Sequence, residues 1–317
     1  MRYRRPLVIA LLSLSGLATV APADAATHRP VVAPYLDVSV SGKYSLLYDA
    51  IRQDHLKNVT AAFVIGSGCT PIWDDSLPVA NDPAVSHMIA KARSLGAHVI
   101  ISLGGENGTE LAQSCTSTTR LTKAYRSVIK RTHATQLDFD IEGAAVADPA
   151  SIARRFAALH TLQRSDHKLR ISLTLPVEPN GLDHNGRAVL RAARKAKVSI
   201  RLVNIMAMDY GSPTSPEMGN AAISAAKHTR VQLRKVWPHD GYANLGITPM
   251  IGQNDVANET FSLADAKRVT AFAKAHGVGR LAFWAMARDE PCGSGDGNYD
   301  CSNVPQSPLA FTKTFLG

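Results

Sequence analysis

Short apolar runs recur along this chain, and each is followed by a stretch whose apolar residues fall at helical intervals. Runs at 31–38 (VVAPYLDV), 59–65, 98–103, 136–143, 169–175, 200–206, 245–251 and 280–284 predict eight strands. The stretches between them predict helices over 45–57, 82–95, 118–131, 148–163, 185–197, 216–237 and 262–277, with a short final helix at 308–315. Local chemistry marks several helix ends. Asp82-Pro83 and Asp148-Pro149 each place a capping carboxylate before a proline that suits the first helical position. Ser262 and Asp265 have capping-box spacing, and Gly96 and Gly277 supply stop signals.

Strict alternation of strand and helix calls for parallel strands, because each helix is the crossover between two of them. Eight such units in 317 residues favour an α/β fold of one kind, a single (β/α)8 TIM barrel, over an open sheet. No linker, low-complexity tract or appended module interrupts the pattern, so 26–317 is expected to form one catalytic barrel.

One strand breaks the apolar rule. In QLDFDIEG (136–143), Asp138, Asp140 and Glu142 alternate with Leu137, Phe139 and Ile141. A period of two puts the three acids on one face and the three large apolar residues on the other. The same alternation would suit a half-wet antiparallel strand, but a parallel barrel strand is covered on both faces. The apolar residues then pack against helices and the acids point into the barrel. Glu142 falls nearest the C-terminal mouth, where such barrels carry their chemistry, and Asp138 lies deepest. One strand earlier, ISLGG (101–105) offers the Ser102 hydroxyl to Asp138, and Gly104 and Gly105 leave room for a ligand near the backbone.

Other features set the setting. Residues 1–25 combine Arg2, Arg4 and Arg5, an apolar run at 7–20 too short to cross a bilayer comfortably, and Ala23-Asp24-Ala25. This is the pattern of a secretory signal peptide cleaved after Ala25, so a secreted, extracellular protein is expected. An even number of cysteines in an oxidising compartment favours two disulfides. Cys292 and Cys301 bracket a short loop and would pair, leaving Cys69 with Cys115. A zinc site lacks the usual CxxC or HxxxH spacing. Composition is ordinary for a globular protein, at 45% hydrophobic and 19% charged. The formal charge is +9, or +7 once the leader takes away Arg2, Arg4, Arg5 and Asp24. With export, that excess suggests attraction to anionic cell-wall surfaces more than to nucleic acid.

The motifs SLGG (102–105), LDFDIEG (137–143), MAMDYG (206–211), TPMIGQND (248–255) and FW (283–284) make the chain resemble the chitinases of glycoside hydrolase family 18. It is most similar to compact secreted bacterial members without the inserted subdomain. Two positions depart from the common pattern: Thr135 stands where an acid often precedes the motif, and Met208 where a tyrosine often falls. Tyr210, two residues on, takes that place, as in the hevamine-like branch.

The resemblance implies hydrolysis of β-1,4-linked N-acetylglucosamine polymers, endo-acting and with retention, by a substrate-assisted route. Glu142 would be the general acid and then base, Asp140 would hold the substrate acetamido group, Asp138 with Ser102 would steady Asp140, and Tyr210 would bond the acetyl carbonyl. Trp284 would floor the sugar site. Tyr35 and Asp37 are further contact candidates, and Asp209, Met250, Gln253 and Asn254 are either sugar contacts or ordinary loop residues. Trp73 could stack a distant sugar or be structural beside Cys69.

No cofactor and no metal is implied. The expected partner is chitin or a chito-oligosaccharide, with no nucleic acid and no membrane, and the protein is expected to be a monomer. Two alternatives stay open: an endo-β-N-acetylglucosaminidase acting on N-glycan cores, and a non-catalytic chitin-binding lectin, which typically lacks the glutamate seen here as Glu142.

Overall fold

The computed structural model describes Met1 and residues 29–74, 77–211, 217–294 and 299–317. The leader expected at 1–25 lies, apart from Met1, outside the described residues. Eight parallel strand positions run in chain order around one sheet. The first is split into Val31–Val32 and Tyr35–Asp37. The others are Asn58–Ser67, His98–Gly104, Gln136–Asp140, Arg170–Pro176, Leu202–Met206, Leu245–Thr248 and Arg280–Leu281. The split first strand closes the ring. Val31 and Val32 pair with Arg280 and Leu281 of the eighth strand, while Tyr35 to Asp37 pair with Thr60 to Ala62 of the second. Pro34, between the two halves, has no N–H for a ladder.

The helices follow the predicted places, at Tyr44–Gln53, Pro83–Ser94, Thr118–Thr132, Pro149–Ser165, His184–Lys195, Met218–Val236, Leu263–His276 and Ala310–Leu316. Their ends are set by the predicted chemistry. Asp82 and Asp148 accept backbone N–H bonds, Ser262 and Asp265 form a reciprocal capping box, and Gly277 ends its helix at φ 66°. The first helix stops four residues short of its expected end, with His55 in left-handed backbone at φ 58°.

Several small elements are additions to the predicted series, among them the Gly143–Val146 turn of helix and the following three. Thr70–Trp73 folds back antiparallel on the second strand, Leu111–Ser114 is a one-turn helix, and Gly252–Gln253 pairs with Thr260–Phe261. Both disulfides form, Cys69–Cys115 and Cys292–Cys301. The first ties the loop before Thr70–Trp73 to the end of the Leu111–Ser114 helix. Leu137, Phe139 and Ile141 are fully buried in the layer between sheet and helices, and Phe139 meets Tyr125 of the Thr118–Thr132 helix edge-on at 5.3 Å.

Candidate active site

The fourth strand delivers its acids to the barrel interior. Register places Ser102 opposite Asp138 and Gly104 opposite Asp140 on one side, and Ser172 and Thr174 opposite the same two acids on the other. Asp138 is wholly buried and surrounded by hydroxyls. Ser102 Oγ and Tyr35 Oη donate to its Oδ2, each at 2.9 Å. Ser172 Oγ donates to Oδ1 at 2.5 Å, and Thr174 Oγ1 lies 3.1 Å and 3.0 Å from the two oxygens. The Arg280 guanidinium stands 3.6 Å from Oδ1 and also reaches Ser172. Asn204 Nδ2 donates to Tyr35 and Thr174, and takes a bond from Thr248 on its Oδ1. Asp138 is thereby fixed in one orientation, since each of its oxygens has at least two polar neighbours.

Asp140 differs. It is 3% exposed, and its Oδ1 is buried without a hydrogen-bond partner. Burial first, then the nearby Glu142 and Asp138 carboxylates, push its pKa well above the usual range. Glu142 lies two residues beyond the strand end, at the start of the short Gly143–Val146 helix, and is half-buried. Burial and then the Glu106 carboxylate raise it from 4.5 to about 7. Asp140 and Glu142 are within hydrogen-bonding reach, so they hold protons as a pair. A carboxyl poised near neutrality at a barrel mouth is what proton donation to a leaving oxygen requires.

Trp284 follows the eighth strand and is half-buried, bridged to Met250. Its indole stacks on Phe63 with ring centres 5.4 Å apart and planes 14° apart, and Tyr35 meets both rings at about 6 Å (6.2 and 6.1 Å). An apolar wall thus stands over the polar layer that holds Asp138. Tyr210 lies beyond the sixth strand; its N–H donates to Glu259 at 3.0 Å, and its hydroxyl is buried without a partner. Burial, with Glu259 and Glu178 nearby, raises its pKa and keeps it a neutral donor.

Several candidates have duties other than sugar contact. Tyr35 is 1% exposed and its hydroxyl serves Asp138. Asp37 Oδ1 takes bonds from the N–H and hydroxyl of Ser39. Asn254 is buried and donates to the Met250 and Gly252 carbonyls. Asp209, in left-handed backbone, takes the N–H of Val256, and burial raises its pKa. The Gln253 carbonyl receives Arg288, leaving its half-buried side chain without an assigned role. Met250 is buried at its bridge to Trp284. Trp73 is 1% exposed and belongs to the core.

The two glycines serve packing. A Cβ on Gly104 would sit 1.8 Å from the Asp140 carbonyl oxygen, and one on Gly105 would sit 2.6 Å from the Phe63 ring. Both also have positive φ, 111° and 90°, which glycine alone tolerates easily.

Residues absent from the expected set are Phe63, Glu106, Ser172, Thr174, Asn204, Glu259 and Arg280. Ser172, Thr174 and Asn204 could have been found by the rule that found Asp138, being polar at alternate positions of buried strands. Phe63 and Glu106 meet the site only across strands, which no single-strand pattern displays.

The family model for glycosyl hydrolases family 18 matches residues 32–247, well over half of the chain. The chain belongs to glycosyl hydrolase family 18. Among curated relatives of this family, the probable bifunctional chitinase/lysozyme of Escherichia coli K12 is 35% identical over 286 residues, covering 84% of this chain and 32% of that protein. Endochitinase 11 of Metarhizium anisopliae is 34% identical over 280 residues, covering 83% and 53%. The chain thus spans about a third and about half of the curated relatives it matches. The catalytic domain of a hyperthermophilic chitinase from Pyrococcus furiosus superposes with a TM-score of 0.80 at 32% identity, covering 91% of this chain and 95% of that one. Catalytic-site mutants of active domain 2 of the Pyrococcus furiosus chitinase, complexed with chito-oligosaccharides, match equally well at 30% identity, covering 92% and 96%.

Proposed function

We propose that this family 18 protein is a secreted, endo-acting chitinase that cleaves β-1,4-linked N-acetylglucosamine polymers with retention, the substrate's own acetamido group serving as nucleophile. The observation that carries the reading is Asp140 Oδ1, a buried carboxyl oxygen left without a partner beside a glutamic acid held near pH 7. A buried polar atom in that condition calls for an explanation, and a substrate N–H supplies one. The chitinases among its relatives, one of them in complex with chito-oligosaccharides, support it.

The steps follow from the residues. Glu142 gives its proton to the glycosidic oxygen as the bond to the anomeric carbon breaks. The acetamido oxygen of the same sugar closes on that carbon and forms an oxazolinium ion. Asp140 accepts the acetamido N–H, orients the group, and offsets the positive charge; Asp138, locked by its hydroxyls, keeps Asp140 in place. Tyr210 donates its hydroxyl to the acetyl oxygen, and Trp284 floors the reacting ring. Glu142, now ionised, takes a proton from water, which opens the oxazolinium from the face the leaving group left. Two displacements at one carbon restore the original configuration.

Export is supported by the leader pattern and the two disulfides. Chitohexaose digestion followed by NMR tests the reading. Dimers to tetramers from internal bonds, first appearing as β-anomers, are expected; α-anomers at first, or activity only on a glycoprotein's N-glycan cores, contradict it. Glu142→Gln should retain binding and lose about 10²–10⁴-fold in kcat. Unchanged turnover removes Glu142 from the reaction.

A further inference from the structure

Part of the chain's basic excess lines a groove between two neighbouring helices. The helices His184–Lys195 and Met218–Val236 pack side by side, and together they carry eight Lys and Arg residues and no Asp or Glu. Along the first of these helices and against the last turns of the second, they form an open groove of about 510 Å³ lined by Arg187, Arg191, Arg194, Lys195, Lys235 and Gln232. Among the described residues none of these five cations pairs with a carboxylate. Crowding like charges on neighbouring helix faces is unfavourable by itself. The negative ends of the two helix dipoles offset only part of that.

The floor of the groove is rigid. The Gln232 amide both accepts from the Leu182 N–H at 2.8 Å and donates to the Leu182 carbonyl at 3.0 Å, and Arg187 donates to that same carbonyl. The groove's shape therefore exists before any ligand arrives. Arg187, Arg191 and Lys195 sit four residues apart, which on a helix makes a row with steps of about 6 Å. Such steps match the charge repeat of an extended phosphodiester chain, and the arginine forks suit phosphate oxygens. The remaining lining is Leu190, Gln232 and Val236, with no aromatic ring on which a nucleobase could stack. The residues that line the groove are distinct from Asp138, Asp140 and Glu142 and from the side chains that bond to them.

From these observations the geometry points to a second binding site, a groove that holds a base-free polyphosphodiester chain of the kind built into anionic cell-wall polymers, leaving the catalytic mouth free. The site would keep the protein near an anionic wall while the mouth works on a neutral polysaccharide. Because it is separate from the acids, it stands or falls independently of the proposed activity.

The test is titration of the protein with poly(glycerol phosphate), reading affinity against salt concentration. The quadruple variant Arg191→Gln, Arg194→Gln, Lys195→Gln, Lys235→Gln keeps helix-forming residues at exposed positions. It should lose at least tenfold in affinity and reduce the salt slope by about three, with chitohexaose turnover within about twofold of the parent. A control with the same change in charge, at Arg120, Lys123, Arg126 and Lys130 on the exposed face of Thr118–Thr132, should retain the parent's affinity. Equal losses in both variants would show diffuse attraction to net charge and overturn the site. So would unaltered affinity in the first variant, or tenfold tighter binding of single-stranded DNA of matched charge.

Discussion

At the scale of single residues, Glu106 gains a role that its sequence position conceals. It is exposed, follows Gly105 on the loop after the third strand, and lies with Oε2 3.5 Å from where a side chain on Gly143 would begin. After burial, its charge is the largest influence holding Glu142 up. Asp140 and the Asp209 carboxyl are the other acids facing Glu142. Removing a like charge lets Glu142 ionise sooner. The basic limb of the kcat/KM profile in Glu106→Gln should therefore move down by about one pH unit, with kcat at the acidic side little altered. An unmoved limb would show that solvent screens Glu106 from the acid. The Asp138–Asp140–Glu142 series was readable from alternation once the strand was placed in a parallel barrel, because three acids on the inner face of a covered strand have no ordinary structural reason. Glu106 was not readable in this way: its influence comes from a loop folding across to a neighbouring strand.

At the scale of elements, the strands and helices were legible because each carries its own period and its own caps. The Thr70–Trp73 hairpin was not. Its four residues are too short for a period, and what shapes it is pairing with Val64 to Ser67 and the Cys69–Cys115 bond. Trp73 accordingly lies in the core. The third and fourth strands are joined closely at the two glycines. The Gly104 Cα approaches the Asp140 carbonyl, and the Gly105 N–H donates to that same oxygen at 3.3 Å. Gly104→Ala would bring both a clash and an unfavourable φ. Urea unfolding should show a loss of at least about 2 kcal/mol together with reduced kcat, since Asp140 must shift. Stability and kcat within error of the parent would mean that the strands tolerate separation.

For the whole molecule, chemistry and charge are segregated. Asp140 and Glu142, whose proton affinity is raised, stand at the barrel's axis and mouth, and five cations without a carboxylate partner among the described residues line one outer groove. The acids have a consequence for stability. Glu142 binds its proton more tightly in the folded state, at about 7, than at its ordinary 4.5. The native state then holds more protons between those values, so its contribution is full below pH 4.5 and is lost as pH rises through 7. Asp140 acts in the same direction. The melting temperature of the parent should fall relative to Glu142→Gln as pH is raised from about 4.5 to 7, a comparison in which titrating groups that do not interact with Glu142 cancel. A constant difference across that window would mean that Glu142 is no harder to ionise in the folded protein than outside it.

The most direct measurement compares initial cleavage rates of chitohexaose and its fully de-N-acetylated counterpart under the same conditions. With the acetamido oxygen as nucleophile, the stripped hexamer should show no measurable cleavage while chitohexaose is cut. Equal rates would mean that a protein group or water attacks the anomeric carbon, and the roles given to Asp140 and Tyr210 would fall with that result.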